Sequence, residues 1–378
     1  MVGVSEYEKG AIPMASKVYF ADFNCKNENI PEKFRRLLMT AGIKDIDFTK
    51  KFACIKLHMG EPGNMAYLRP QYAKALADLI KELGGKPFLT DCSTLYVGGR
   101  KNALDHLDTA AMNGFNQITA GCQILIGDGL KGTDEVDVPV PNGTYFTTAK
   151  IGRTIMDADV FLSLTHFKGH EKMGIGGVVK NIGMGCGSRA GKMEMHSDGK
   201  PVVIANRCVG CGICAKNCAH DALTPEGKKM TIDHNKCTGC GRCISACPKD
   251  ALAATWGQHD KILDEKTAEY AAAVLNGRPH FHVCLLCDIT PNCDCHGEND
   301  AAILPDIGIL AGFDPVAIDV AACDLCNKAP RLKNTWLDDC PEGGDVFDDA
   351  HGNTRWRDTI EYAVKIGLGS DQYNLITM

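Results

Sequence analysis

The 378-residue sequence predicts an α/β fold, a mostly parallel sheet flanked by helices, with a small α+β insert. Three observations carry that prediction. Short apolar runs alternate with longer stretches whose apolar residues recur at helical spacing, which is the pattern of strand-helix-strand units. The alternation stops near residue 200, where two similar cysteine-rich runs follow one another, and resumes near residue 280. A composition of 44% hydrophobic and 23% charged residues is that of a globular protein with a substantial core. The length favours two or three domains.

Val18 to Phe23 reads as a first apolar strand, and Pro31 to Thr40 as a helix with Glu28 and Glu32 near its start. Ala53 to Leu57 is a second buried strand. From Pro70 to Leu83 the apolar Ala73, Leu76, Leu79, Ile80 and Leu83 share a helical face, and Gly84 and Gly85 end the helix. Further strands are expected at Pro87 to Thr90, Gln123 to Gly127 and Val160 to Thr165, with helices at Asn102 to Asn113 and Thr148 to Asp157. After the insert come strands at Phe281 to Leu285 and Ile307 to Leu310, then a helix from Pro315 through Cys326. The domain plan is a disordered tail at 1–16, an α/β domain in two parts, 17–200 and 255–378, and the insert at 201–254. Met14 is a second possible start.

The insert carries CVGCGICAKNC from Cys208 and CTGCGRCISACP from Cys237, each with the spacing CxxCxxCxxxC. A tight CxxCxxC loop presents three thiolates to one small inorganic core, and the fourth must come from elsewhere in the chain. Glycines at 210, 212, 239 and 241 allow the sharp turns this needs. Structural zinc would need only two CxxC pairs per site and would leave the remaining thiols unexplained. Disulfides require an oxidising compartment, and nothing in the sequence directs the chain to one. Residues Cys208 to Leu223 match Cys237 to Leu252, an internal repeat that resembles bacterial two-cluster ferredoxins. That resemblance implies two [4Fe-4S] clusters, one on Cys208, Cys211, Cys214 and Cys247, the other on Cys237, Cys240, Cys243 and Cys218. Pro248 fits the same pattern, whereas Ala219 stands where the first run should have proline.

Outside the insert, Ser163 to Lys192 begins at the C-terminal end of a strand, where open α/β sheets bind ligands. His166 and His170 are four apart, a metal-binding spacing on a helix but an uninformative one in a loop. With Lys168, Lys180 and Asn181 they form the candidate catalytic set. Seven glycines between Gly174 and Gly191 let backbone amides approach a small anionic ligand. A nucleotide-binding P-loop is excluded, because Cys186 stands where its first glycine belongs and Met193 replaces its Ser or Thr. Cys293, Cys295 and His296, in a polar loop, are a candidate further metal site. Cys284 and Cys287 sit in an apolar strand, and Cys323 and Cys326 read as small hydrophobes.

The Lys180-Asn181 pair, the CDC at 293–295 and DPVAID at 314–319 resemble the DUF362 family. Its members often carry a two-cluster ferredoxin, and the similarity runs from about Lys17 to near the end of the chain. Asp314 and Asp319 belong to its recurrent motifs, to which no agreed chemical role is attached.

A formal charge of -6 leaves no basic footprint for nucleic acid. No apolar run approaches the ~20 residues needed to cross a bilayer. The first residues, MVGVSEYEKG, lack the features of a signal peptide, so the expected compartment is the cytoplasm, and twenty cysteines suggest that of an anaerobe. The functional expectation is an iron-sulfur oxidoreductase that passes electrons to a ligand in the α/β domain, with a redox partner protein supplying or taking them. Alternatives are an electron carrier or docking module without its own substrate, and a metal- or cluster-handling protein.

Overall fold

The computed structural model of the chain describes residues 15–96, 98–196, 199–254, 260–340 and 343–378. Most of the expected N-terminal tail, with Met14, lies outside the described residues, as does the join at 255–259.

An eight-stranded sheet forms the centre. Its order is Tyr373–Thr377, Ser16–Asp22, Gly308–Gly312, His280–Leu286, Val160–His166, Phe52–Lys56, Lys86–Asp91, Gln123–Ile126. Every neighbouring pair is parallel except those made by Gly308–Gly312, which runs against both its neighbours. Parallel strands covered on both faces need apolar residues throughout, and Val160–His166 is buried at every position.

Alternate residues of these strands enter two separate cores. Ala53, Ile55, Leu162, Leu164, Val283 and Leu285 face the helices Ile30–Thr40 and Pro70–Glu82. Cys54, Phe161, Cys284 and Leu286 face the opposite layer, built from Val178–Cys186, Asp260–Leu275, Pro315–Lys328 and Trp356–Lys365. The first helix starts where the sequence says, with Asn29 and Glu32 forming a reciprocal capping box.

One expected helix is corrected. Thr148 to Asp157 is mostly strand: Thr148–Gly152 pairs antiparallel with Glu135–Pro139, and only Arg153–Met156 is helical. Ala149 and Ile151 are buried while Thr148 is exposed and Lys150 half-buried, a period-two pattern that decides for strand.

Residues 201–254 leave the larger body and return to it at one place, because Pro201–Val203 pairs antiparallel with Leu252–Ala254. Between them lie a hairpin, Leu223–Glu226 with Lys229–Ile232, and two short helices, Ile213–Lys216 and Arg242–Ala246. Among the described residues no helix is long and apolar enough to cross a membrane.

Candidate functional site

A cavity of about 690 Å³ opens at the C-terminal ends of the parallel strands, lined by Lys56 and Asp91 at two strand ends and by Lys168 just beyond a third. Its floor is an ion network. Lys56 Nζ lies 3.1 Å from Asp91, and Arg100 joins Asp91 at 3.1 Å to Glu61 at 2.8 Å. Burial alone would raise the Asp91 carboxyl, but the charges of Lys56 and Arg100 outweigh it and hold the group well below the usual carboxylate range. Lys56 Nζ also donates to Asn181 Oδ1 at 2.8 Å, and Asn181 Nδ2 donates to Thr165 Oγ1 at 2.9 Å. These bonds tie the Val178–Cys186 helix to the strand ends.

That helix carries Lys180, whose Nζ donates to Cys293 Sγ at 3.3 Å. In the 293–295 loop successive side chains point to opposite sides. Cys293 and Cys295 turn toward Lys180 and His170. Asp294, fully buried, turns the other way to accept from His166 Nδ1 at 2.9 Å and to pair with Lys168 at 3.2 Å. The second ring nitrogen of His166 donates to the Cys287 carbonyl at 2.8 Å, so both its nitrogens face acceptors. The Cys293 thiol is pulled well below its ordinary value, first by a hydrogen bond from Cys295 and then by Lys180 and His170, which together overcome burial. The shared hydrogen bond pushes Cys295 the opposite way. Burial would raise Glu171 too, yet His170 and His296 bring it down to about 2.

Two overlapping donor groups could hold a metal ion: His170 with Cys293 and Cys295, and Glu171 with Cys295 and His296. The sequence-based trio of Cys293, Cys295 and His296 is thus divided, with Cys295 common to both groups. His166 and His170 share no helix face, because His166 ends a strand and points at Asp294 whereas His170 lines the cavity beside Cys293 and Cys295. Much of the glycine-rich stretch forms two helices, Val178–Cys186 and Arg189–His196, and its Gly176, Gly177 and Gly185 line the cavity. Its glycines permit close packing. A side chain at Gly183 would overlap the Thr267 carbonyl oxygen, and one at Gly177 the Asp319 carboxylate.

In the cysteine-rich segment the backbone repeats itself at an offset of 29 residues, the distance from Cys208 to Cys237. Cys208 N–H bonds to the Ile204 carbonyl as Cys237 N–H does to Asp233, and Gly210, Gly212, Gly239 and Gly241 all have positive φ. Ala222 and Ala251 N–H donate to the sulfurs of Cys218 and Cys247 at 3.4 and 3.2 Å. A small recess is lined by Cys208, Cys211, Cys214 and Cys247. Burial pushes the Cys243 thiol up to about 12, with crowding by Cys240, Cys237 and Cys214 adding to it. Thiols gathered this closely, with backbone donors on their sulfurs, suit a cationic inorganic core that would reverse the mutual repulsion.

A model of a domain of unknown function, DUF362, matches residues 54–324. The chain belongs to the DUF362 family. A thylakoid-associated protein from Synechocystis is 28% identical over 125 residues, covering 33% of this chain and 35% of that relative. The match therefore spans about a third of the curated relative. Among solved structures, the lactate racemase apoprotein from Thermoanaerobacterium thermosaccharolyticum aligns at 10% identity with a TM-score of 0.32, over 73% of this chain and 51% of that one. A Thermotoga maritima protein aligns at 12% identity with a TM-score of 0.37, over 75% and 56%.

In this DUF362 chain the motif carboxylates act on the backbone around the site. Asp314 caps the Pro315–Lys328 helix and also accepts from Ser16 Oγ and Ser370 N–H. Asp319 accepts from Val178 and Val179 N–H at 2.6 and 2.9 Å, capping the helix that carries Lys180 and Asn181. Site residues that sequence reasoning missed include Lys56, Asp91, Arg100, Glu171, Lys192 and Asp294. A lysine closing the otherwise apolar strand FACIK is the one signal that could have found the ion network.

Proposed function

We propose that this DUF362 protein is an iron-sulfur oxidoreductase serving a small ligand in the 690 Å³ cavity. Cys208, Cys211, Cys214 and Cys247 would hold one [4Fe-4S] cluster, and Cys237, Cys240, Cys243 and Cys218 the other. When bound, the clusters supply electrons one at a time.

The observation that carries the reading is the Arg189–His196 helix, which separates the cysteine-rich segment from the cavity by its own width. Arg189 touches the second run, since a Cβ on Gly241 would lie 2.6 Å from its Cδ, and it feels the charges of Cys243 and Cys240. Met193 packs in the apolar cluster that contains Cys208, Cys214, Cys243 and Cys247. Lys192 and His196 of the same helix line the cavity. Leu95 belongs to both, packing with the cysteine cluster while lining the cavity.

The chain's own residues do the remaining work. Lys180 and Lys192 favour an anionic ligand, and Leu95 and Met193 keep water out of the partition. On the outer side Val209 and Ile213 expose apolar side chains beside the exposed Cys211, a surface suited to a redox partner protein.

The test is iron, labile sulfide and zinc analysis of anaerobically purified protein, with EPR after dithionite. About eight iron atoms per chain are expected from two four-iron clusters. Zinc in place of iron would overturn the reading, and so would clusters that no added small anion reoxidises.

A further inference from the structure

We infer that Cys293 and Cys295 form a redox-active thiol pair that exchanges with a small anionic disulfide held in the cavity. Cys295 lines the cavity, whereas Cys293 lies behind it, 1% exposed. Lys180 Nζ lies 3.3 Å from the Cys293 sulfur. The sulfurs of Cys293 and Cys295 lie within 4.8 Å of each other, near enough for one to resolve a mixed disulfide on the other.

The same atoms could bind a metal, but two features weigh toward thiol chemistry. His170 Nδ1 accepts the backbone N–H groups of Lys172 and Met173 at 3.1 and 3.2 Å, which leaves the ring proton on Nε2, the nitrogen a metal would need. The Lys180 ammonium also occupies the position beside Cys293 that a cation would contest.

The step balances as follows. Cys295 sulfur attacks one sulfur of the substrate disulfide, that S–S bond breaks, and the Cys295 proton passes to the first substrate thiolate. Cys293 sulfur then attacks Cys295 sulfur, expels the second substrate thiolate, which takes up the Cys293 proton, and closes the Cys293–Cys295 disulfide. Two electrons and two protons return the pair to its starting state, and the supply of those electrons rests on the proposed function. The preference for an anion follows from the lining, in which six Lys and Arg side chains face four Asp and Glu among the described residues.

The test uses the whole purified protein under argon. It is exposed to 3,3′-dithiodipropionate or to cystamine, disulfides of similar size and opposite charge, then alkylated and mapped by peptide mass spectrometry. The anionic probe is expected to oxidise the pair about ten-fold faster than the cationic one, a charge-steering effect. Cys293→Ser is expected to accumulate a mixed disulfide on Cys295, and Cys295→Ser to give neither adduct nor internal disulfide. Alkylation of both thiols no faster than that of buried Cys54 would overturn the inference. So would one equivalent of tightly held metal that protects them. If the disulfide forms but reduced methyl viologen fails to reopen it in the cluster-loaded protein, the thiol pair stands and the electron path of the proposed function falls.

Discussion

Asp319 offers a stability test that is independent of substrate. Its carboxyl is fully buried and accepts two N–H groups from the first turn of the Val178–Cys186 helix. Burial pushes it up to about 7 from an ordinary 3.8, against the lowering pull of those donors. Between those pH values the folded chain keeps the proton while the unfolded chain has released it, so the folded state binds more protons and stability falls as pH rises. The gap amounts to about 4 kcal/mol once the group is ionised in both states. Asp319→Asn cannot titrate, and its amide facing the helix N–H groups adds a penalty that does not depend on pH. The difference in urea stability between wild type and variant, measured anaerobically in steps from about pH 4 to pH 8, should therefore move toward the variant by up to about 4 kcal/mol. A flat difference would refute the reasoning. It would show that the two helix donors keep the carboxylate ionised throughout.

Asp294→Asn should cost about 3–5 kcal/mol, because it leaves Lys168 buried without its counter-charge; thermal unfolding at neutral pH checks it. The Asp294 carboxyl is held below its ordinary value by His166 and Lys168 in spite of burial, so its contribution is present above about pH 4 and is lost as pH falls, which an acid titration of the same variant should reveal. Gly183→Ala should destabilise by about 1–3 kcal/mol, since a Cβ there meets the Thr267 backbone rather than a movable side chain; the shift in urea midpoint measures it. Gly239→Ala, at φ +75° and against the Gly199 carbonyl, should lower iron content to about half by disturbing one of two four-iron sites while the far-UV spectrum stays folded. Full iron in that variant would count against the assignment of the second run.

The alternating strands and helices were legible because burial on both faces of a parallel sheet demands continuous apolar runs, and VFLSL at 160–164 can be little else. Thr148 to Gly152 was misread because its alternation spans only five residues, too few to separate a period of two from 3.6 without the partner strand Glu135–Pro139. The cysteine repeat was legible because spacing alone encodes a turn. The cavity was legible in part: Lys168, His170, Lys180 and Cys295 stood among the candidates, whereas Lys56 and Asp91 come from separate strands far upstream that carry no motif. The glycines between 174 and 191 serve two ends, since Gly176, Gly177 and Gly185 line the cavity. A missing Cβ serves a ligand's approach and a helix's approach equally well, and at Gly183 only Thr267, far along the chain, shows that the space is taken by packing.

That packing role also explains why the family's motif residues have no simple chemical reading. Asp319 caps the Lys180 helix, Gly177 leaves room for that carboxylate, and Asn181 fastens the helix to Lys56 and Thr165. Together they fix where Lys180 Nζ points, and it points at Cys293. Asp294 fixes the loop from the other side through His166 and Lys168, so that Cys293 and Cys295 can face only one way. Most of the motif therefore positions two atoms, one ammonium nitrogen and one sulfur, at the end of the cavity lined also by Lys192 and His196. On the proposed reading the half-buried Lys180 and the buried Cys293 belong together. The arrangement has a use if electrons arriving through the Arg189–His196 helix are to end at sulfur.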